Sequence, residues 1–225
     1  MNRIALLISF LSLAAGTYSQ ELNHVTFSGG ATLSSFSFRT DQEIIIRISE
    51  EGKVLEWGTD PGPGRYYYDP RKLQPYLGRV EYYGQEYDSV IRGKVKSIGT
   101  CAFTYYDKYE TATKMGKLKT IGRVAVEYYD NYEDAAYKGK LRFSGSVLFS
   151  YYSSFENEAF RGKLKSVNNN SITYYSTFDD KAIKGKIKSI GGFEYTWYSS
   201  YDRFHGGLKS GSVSQTINGI TYNIM

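Results

Sequence analysis

From residue 78 onward, apolar and polar residues alternate in short runs instead of recurring every third or fourth position. In the segment VAVEYYD, Val124, Val126 and Tyr128 fall on one side, and Ala125, Glu127 and Tyr129 fall on the other. That period of two is the signature of a half-buried strand. A second segment, GKLKTIG over residues 116–122, alternates in the same way. Between the two kinds of segment stand residues that favour tight turns: Gly99-Thr100, Gly122-Arg123, Gly145-Ser146, Asn168-Asn169 and Gly191-Gly192. Two alternating runs joined by such a pair read as a β-hairpin.

The hairpin recurs. The second member of each tyrosine pair falls at Tyr83, Tyr106, Tyr129, Tyr152, Tyr175 and Tyr198, a constant spacing of 23 residues. Gly93, Gly116, Gly139, Gly162 and Gly185 follow the first five of these, each with a lysine next. The sixth copy is shortened, and a looser copy with a Pro/Gly insertion precedes the array. These features predict an all-β protein of tandem 23-residue antiparallel β-hairpin repeats forming an extended or rolled sheet. The expected organisation is a leader over 1–19, N-terminal hairpins and a degenerate repeat over 20–77, the array over 78–211, and a capping hairpin over 212–225. The last rests on Asn218-Gly219, a strong two-residue hairpin signal.

A parallel solenoid has a similar period, but it would stack Lys117, Lys140, Lys163 and Lys186 about 4.8 Å apart. Like charges that close repel by about 1 kcal/mol per pair even in water. Hairpins place an opposing strand between the copies, so hairpins are expected. Within each one, an odd-length, Gly-bulged loop is expected to bring Val95 to the face of Phe103 and Tyr105 and to leave Lys94 and Lys96 facing Thr104 and Tyr106. On that register the lysine columns lie on the polar face, Lys140→Ala is nearly neutral and Tyr128→Ala is costly.

Composition narrows the functional classes. The first residues carry Arg3, an apolar run from Ile4 to Ala15, and small residues Thr17 and Ser19. They read as a signal peptide cleaved near Ser19/Gln20, since the run is well short of the roughly 20 residues that span a bilayer. The expected location is therefore secreted, periplasmic or cell-envelope, without a transmembrane helix. The net charge of +5 falls to +4 once Arg3 leaves with the leader, too mild for a nucleic-acid partner. The lone Cys101 permits no internal disulfide and occupies a slot filled elsewhere by Gly78, Val124, Val147, Asn170 and Phe193.

Candidate chemistry is sparse. His24 and His205 lie in no metal-ligand spacing, and no cofactor or metal is expected. Glu110, Glu133, Glu156, Asp179 and Asp202 form an acidic column, read as solvated acids balancing the lysines and not as a calcium loop. A repeated acid has no privileged copy, so catalysis is not expected. The tyrosines stand out: the chain holds 23. Tyr83, Tyr106, Tyr129, Tyr152, Tyr175 and Tyr198 fall on the expected polar face, where they either cover glycine and lysine stems or offer a stacking surface. The partner expected for such a surface is a glycan or an envelope protein.

The hairpin with Gly-Lys-Leu-Lys and Tyr-Tyr over 78–211 resembles MORN-type repeat proteins, and the wording of the repeat is similar to exported repeat proteins of Bacteroidetes bacteria. Both resemblances imply β-hairpin arrays in binding or scaffolding roles and bring no catalytic residues. The expectation is an exported, non-catalytic scaffold or binding surface. An outer-membrane β-barrel and a hydrolase of surface polymers are the alternatives.

Overall fold

The computed structural model describes residues 20–60 and 72–225. The expected leader over 1–19, and the Pro/Gly-rich part of the loose copy over 61–71, lie outside the described residues. Every described element is a strand. The N-terminal part forms β1 (Glu21–Ser28), β2 (Thr32–Arg39), β3 (Ile44–Ile48) and β4 (Val54–Thr59). The array follows as β5 (Val80–Tyr82), β6 (Val95–Ile98), β7 (Cys101–Tyr105), β8 (Leu118–Ile121), β9 (Val124–Tyr128) and β10 (Leu141–Ser144). It continues through β11 (Val147–Tyr151), β12 (Leu164–Val167), β13 (Asn170–Tyr174), β14 (Ile187–Ile190) and β15 (Phe193–Glu194). The short ribbon of β16 (Thr196–Trp197) and β17 (Leu208–Ser210) completes it, before β18 (Ser214–Ile217) and β19 (Ile220–Ile224).

Strands β5 to β15 make one eleven-stranded sheet in which sequence neighbours are spatial neighbours, all antiparallel. The sheet is open, with β5 and β15 at its edges. The repeats are thus successive hairpins, as charge repulsion requires. Strands β1 to β4, β18 and β19 make a second sheet in the order β18-β19-β1-β2-β3-β4. Asn218-Gly219 does close a hairpin, with Ile217 opposite Ile220. Its second strand runs parallel to β1, so the C-terminal hairpin completes the N-terminal sheet instead of prolonging the array.

The register corrects the expected odd-length loop. Ile98 pairs with Cys101 and Ile121 with Val124, leaving two-residue turns. The left-handed conformation falls on Gly99, Gly122, Gly145 and Gly191, and on Asn168 where glycine is absent. Such turns suit the right-handed twist of paired strands. The extra residue lies inside the strand: Tyr105 pairs with Leu118 while Thr104 pairs with Thr120, so Lys119 is a bulge. The same irregularity recurs beside Lys96, Arg142, Lys165 and Lys188. It turns Leu118 and Ile121, three residues apart, to one face, and both are fully buried. The expected segregation of Val95 with Phe103 is reached, by a bulge instead of a loop.

The buried face of the array packs on the second sheet in one continuous core. Phe36 of β2 meets Phe149 of β11 with ring centroids 4.5 Å apart. Tyr128 is 2% exposed and donates its hydroxyl to the Leu118 carbonyl at 2.8 Å. Turns of the second sheet reach the bulged strands: Leu141 N donates to Glu50 O, and Ile187 N to Gly30 O, each at 2.7 Å. Gly52 and Gly30 permit that approach. A Cβ on Gly52 would lie 1.8 Å from the Tyr128 hydroxyl oxygen, and one on Gly30 would lie 1.8 Å from the Trp197 ring. Gln20 and Gln42 add side-chain bonds to the hairpin turns at Arg123 N (3.0 Å) and Thr100 N (3.1 Å).

Lys140 is not solvated, which corrects the expected neutrality of its removal. Its ammonium donates to the Gly162 carbonyl at 2.7 Å and pairs with Glu50 at 2.9 Å, with both side chains mostly covered. In urea unfolding, Tyr128→Ala is expected to cost about 3–5 kcal/mol, as buried aromatic truncations do. Lys140→Ala is expected to cost about 1.5–3 kcal/mol, the range for hydrogen bonds to a charged group. An unchanged midpoint for Lys140→Ala would show that this contact contributes nothing to sheet docking.

Candidate functional site

The six tyrosines singled out by the repeat are positioned by the last strand residue of each unit and point away from the second sheet. Five of the six hydroxyls are already engaged. Tyr83 donates to Phe103 O at 2.7 Å, Tyr106 to Val126 O at 3.1 Å and Tyr129 to Phe149 O at 2.8 Å. Tyr152 donates to Ile172 O at 2.9 Å and Tyr175 to Tyr195 O at 3.0 Å. Each bond crosses to the next repeat, so these phenols tie unit to unit. The bulge residue of each unit lies over the ring: Lys119 is 5.3 Å from the Tyr106 centroid, Arg142 5.4 Å from Tyr129, Lys165 5.1 Å from Tyr152 and Lys209 5.7 Å from Tyr198. Tyr137 and Phe160 close the sides of Tyr129 and Tyr152 at 4.7 and 4.6 Å. The structure therefore brings the six rings into one comb of cations and aromatics, with Tyr106 buried and the other five half-buried, and with little free face.

The first lysine of each unit makes a parallel ladder. Lys94 and Lys117 donate to Gly116 O and Gly139 O, Lys163 to Gly185 O at 2.5 Å, and Lys186 to Gly29 O at 2.7 Å. Each also lies over the first aromatic of the pair, as Lys117 does over Tyr128 at 5.0 Å and Lys186 over Trp197 at 4.4 Å. Burial, with Lys186 nearby, brings the Lys163 ammonium down to about 8. These lysines fasten the glycine turns, whose φ is positive at Gly116, Gly139, Gly162 and Gly185.

The freely exposed aromatics are different ones. Three residues beyond the second tyrosine, Tyr109, Tyr132, Phe155, Phe178 and Tyr201 are 84%, 99%, 95%, 95% and 95% exposed. Each crowns a turn whose backbone is closed locally, as by Glu133 N to Asp130 O at 3.1 Å and Glu156 N to Ser153 O at 3.2 Å. The turns are also tied to one another. Asp134 accepts from Ser154 N at 3.0 Å, Asn157 from Thr177 N at 3.1 Å, and Asp180 from Ser200 N at 2.8 Å. Equivalent turns are two strands apart, about 10 Å at the usual strand spacing, so the five rings form a regular row along one margin of the array. Strand periodicity does not mark this row, because it lies in DNYEDAAYK and its counterparts between the strands. The available signal was an aromatic at the same place in five copies, outside the strands and without any core-forming alternation.

The acidic column stands directly beside the row. Glu133 pairs with Arg142 at 3.6 Å and Glu156 with Lys165 at 3.4 Å. Asp179 accepts from Ser176 N at 2.6 Å and Asp202 from Ser199 N at 2.7 Å. Hydrogen bonds from the Ser199 hydroxyl and amide hold the Asp202 carboxyl below the usual range. Cys101 is buried, and burial pushes its thiol up to about 12, away from reactivity. Among the described residues no group of three or more His, Cys, Asp and Glu side chains gathers as a metal site. A cavity of about 180 Å³ opens beside His24, Thr26, Arg47 and Asp60, and burial lowers the His24 imidazole. Another, of about 490 Å³, lies between the β3–β4 turn and Lys94 and Lys117. Comparison with protein-family models, with curated proteins and with solved structures returned no match.

The tyrosines dictate an alkaline limit. Burial raises the phenols of Tyr105, Tyr106, Tyr128, Tyr151 and Tyr174, and brings Tyr222 up to about 12. The unfolded chain ionises its tyrosines near 10. The folded state retains these protons longer, so its stability is complete below about pH 10 and falls as pH rises beyond it. Phenolate absorbance from these residues is expected to appear together with the loss of β-sheet circular dichroism. Their ionisation in a fully folded chain would contradict the burial described.

Proposed function

We propose that this chain is an exported, non-catalytic repeat protein that acts as a scaffold or binding surface in the cell envelope or outside the cell. The observation that carries the binding role is the row of five exposed aromatic rings, held at equal intervals by turns bonded to one another. Isolated exposed apolar residues need no explanation, but five rings exposed at the same position of successive units form an ordered set, and that regularity supports an interaction site. The MORN-like character of the hairpins points the same way. Export rests on the leader sequence, with cleavage near Ser19/Gln20. The six tyrosines of the comb serve this reading as the rigid support behind the row.

The open order of the array, and the packing of its apolar face on a second sheet, favour this reading over an outer-membrane barrel, whose apolar face would meet lipid. Among the described residues no helix is long and apolar enough to cross a membrane. The test is fractionation of cells producing the full chain. The product is expected outside the cytoplasm, beginning near Gln20 and soluble without detergent. Retention of residues 1–19 in a cytoplasmic product would overturn the assignment. So would turnover of a substrate that a single non-repeated substitution abolishes.

A further inference from the structure

We infer that the row formed by Tyr109, Tyr132, Phe155, Phe178 and Tyr201 is a binding strip for a single, extended, neutral β-1,4-linked glycan chain. The inference rests on the proposed binding role and specifies its ligand. Four observations select this occupant. First, the interval is fixed: each unit adds two strands, so successive rings advance by about 10 Å. In a β-1,4-linked chain alternate sugars present the same face, and their repeat is of that order. A folded protein partner has no reason to be periodic, whereas a linear polymer is periodic by construction. Second, the rings are held ready. Asp134, Asn157 and Asp180 bond the last four turns in series and Thr113 reaches Asp130 between the first two, so binding has little loop freedom to remove.

Third, the flanking chemistry suits sugar. Aromatic faces receive the apolar C–H faces of pyranose rings, and beside each ring stands an acid, from Glu110 to Asp202. A carboxylate offers about four lone-pair sites, so Asp179 and Asp202 retain acceptors for sugar hydroxyls beyond the serine bonds they make. Asp179 and Asp202, held by serine hydroxyls, keep their negative charge facing a ligand and disfavour acidic polysaccharides and nucleic acid. Fourth, strands in a sheet rotate relative to their neighbours, so the row is twisted. That shape matches one flexible chain better than the flat face of a polymer crystal.

The experiment titrates soluble cello- and chito-oligosaccharides of increasing length onto the full chain produced for export, by calorimetry. Polymannuronate serves as an acidic β-1,4-linked control and neutral phospholipid vesicles as an apolar one. Affinity is expected to rise with length once two rings are spanned. Phe155→Ala should weaken binding about tenfold, the loss of one aromatic contact. The triple variant Tyr132→Ala/Phe155→Ala/Phe178→Ala should abolish it. All three side chains are fully exposed, so unchanged thermal unfolding is expected and would confirm that the variants fold. Leu77→Ala, which removes an exposed apolar side chain outside the row, should bind as the parent does. Which oligosaccharide series binds identifies the sugar.

Binding to neither series, affinity independent of length, binding unaffected by the triple substitution, or equal binding of polymannuronate would each overturn the proposal. So would a preference for vesicles, or self-association that the triple variant abolishes in place of sugar binding. If the chain is exported and retains an envelope component even as the triple variant, the strip fails while the broader binding role stands. Cytoplasmic retention would instead remove the broader role.

Discussion

A four-residue strand that must turn its first and last side chains to the same face needs one residue too many for a flat ladder. The bulge at Lys96, Lys119, Arg142, Lys165 and Lys188 supplies it, and the rest of the molecule follows. With the bulge in place, Leu118 with Ile121, Leu164 with Val167, and Ile187 with Ile190 all enter the core, and the sheet acquires one apolar face along its whole length. A sheet with one apolar face must be covered. The cover is the six-stranded sheet, whose Val25, Phe27, Phe36, Phe38, Ile44, Ile46 and Ile48 are buried against it. The displaced basic residue is in turn carried to the opposite face, where it lies over the second tyrosine. One backbone irregularity therefore sets both the core and the cation-aromatic comb.

Much of this was legible in the residues. The alternation of Val124, Val126 and Tyr128, the turn pairs and the constant interval between tyrosines specified antiparallel hairpins, because each rests on local sterics. The lysine columns ruled out coils stacked in parallel. What was not legible depended on encounters between distant segments. The bulge gives the same face pattern as an odd loop, so the two cannot be told apart until Tyr105 is seen opposite Leu118. The parallel pairing of β1 with β19 leaves no local mark, since both strands alternate as any edge or central strand would. Lys140 looked solvated because its partner, Glu50, belongs to a hairpin that sequence had not placed beside it.

The candidate site shows the same division. The conspicuous tyrosine pairs act largely as structural glue: from Tyr105 onward the first member packs on the core, and from Tyr83 to Tyr175 the second donates its hydroxyl across to the following unit. The exposed rings were hidden in plain sight, because an aromatic in a loop is read by default as local packing. Their exposure is a tertiary fact. It arises because each turn bonds to its neighbour through Asp, Asn, Ser and Thr side chains, which leaves the ring nothing to fold back upon. The array also manages its own margins. β5 has three residues and β15 only two, lengths too short to recruit a further chain by strand addition.

Pairing between His24 and Thr221 means that the first strand waits for the last before its sheet is whole. Contacts so distant along the chain form late, since a large loop must close before they give any return. A polypeptide emerging in order can thus assemble its hairpins one after another while its covering layer stays incomplete. The covering sheet thus lacks two of its six strands until the β18–β19 hairpin is made.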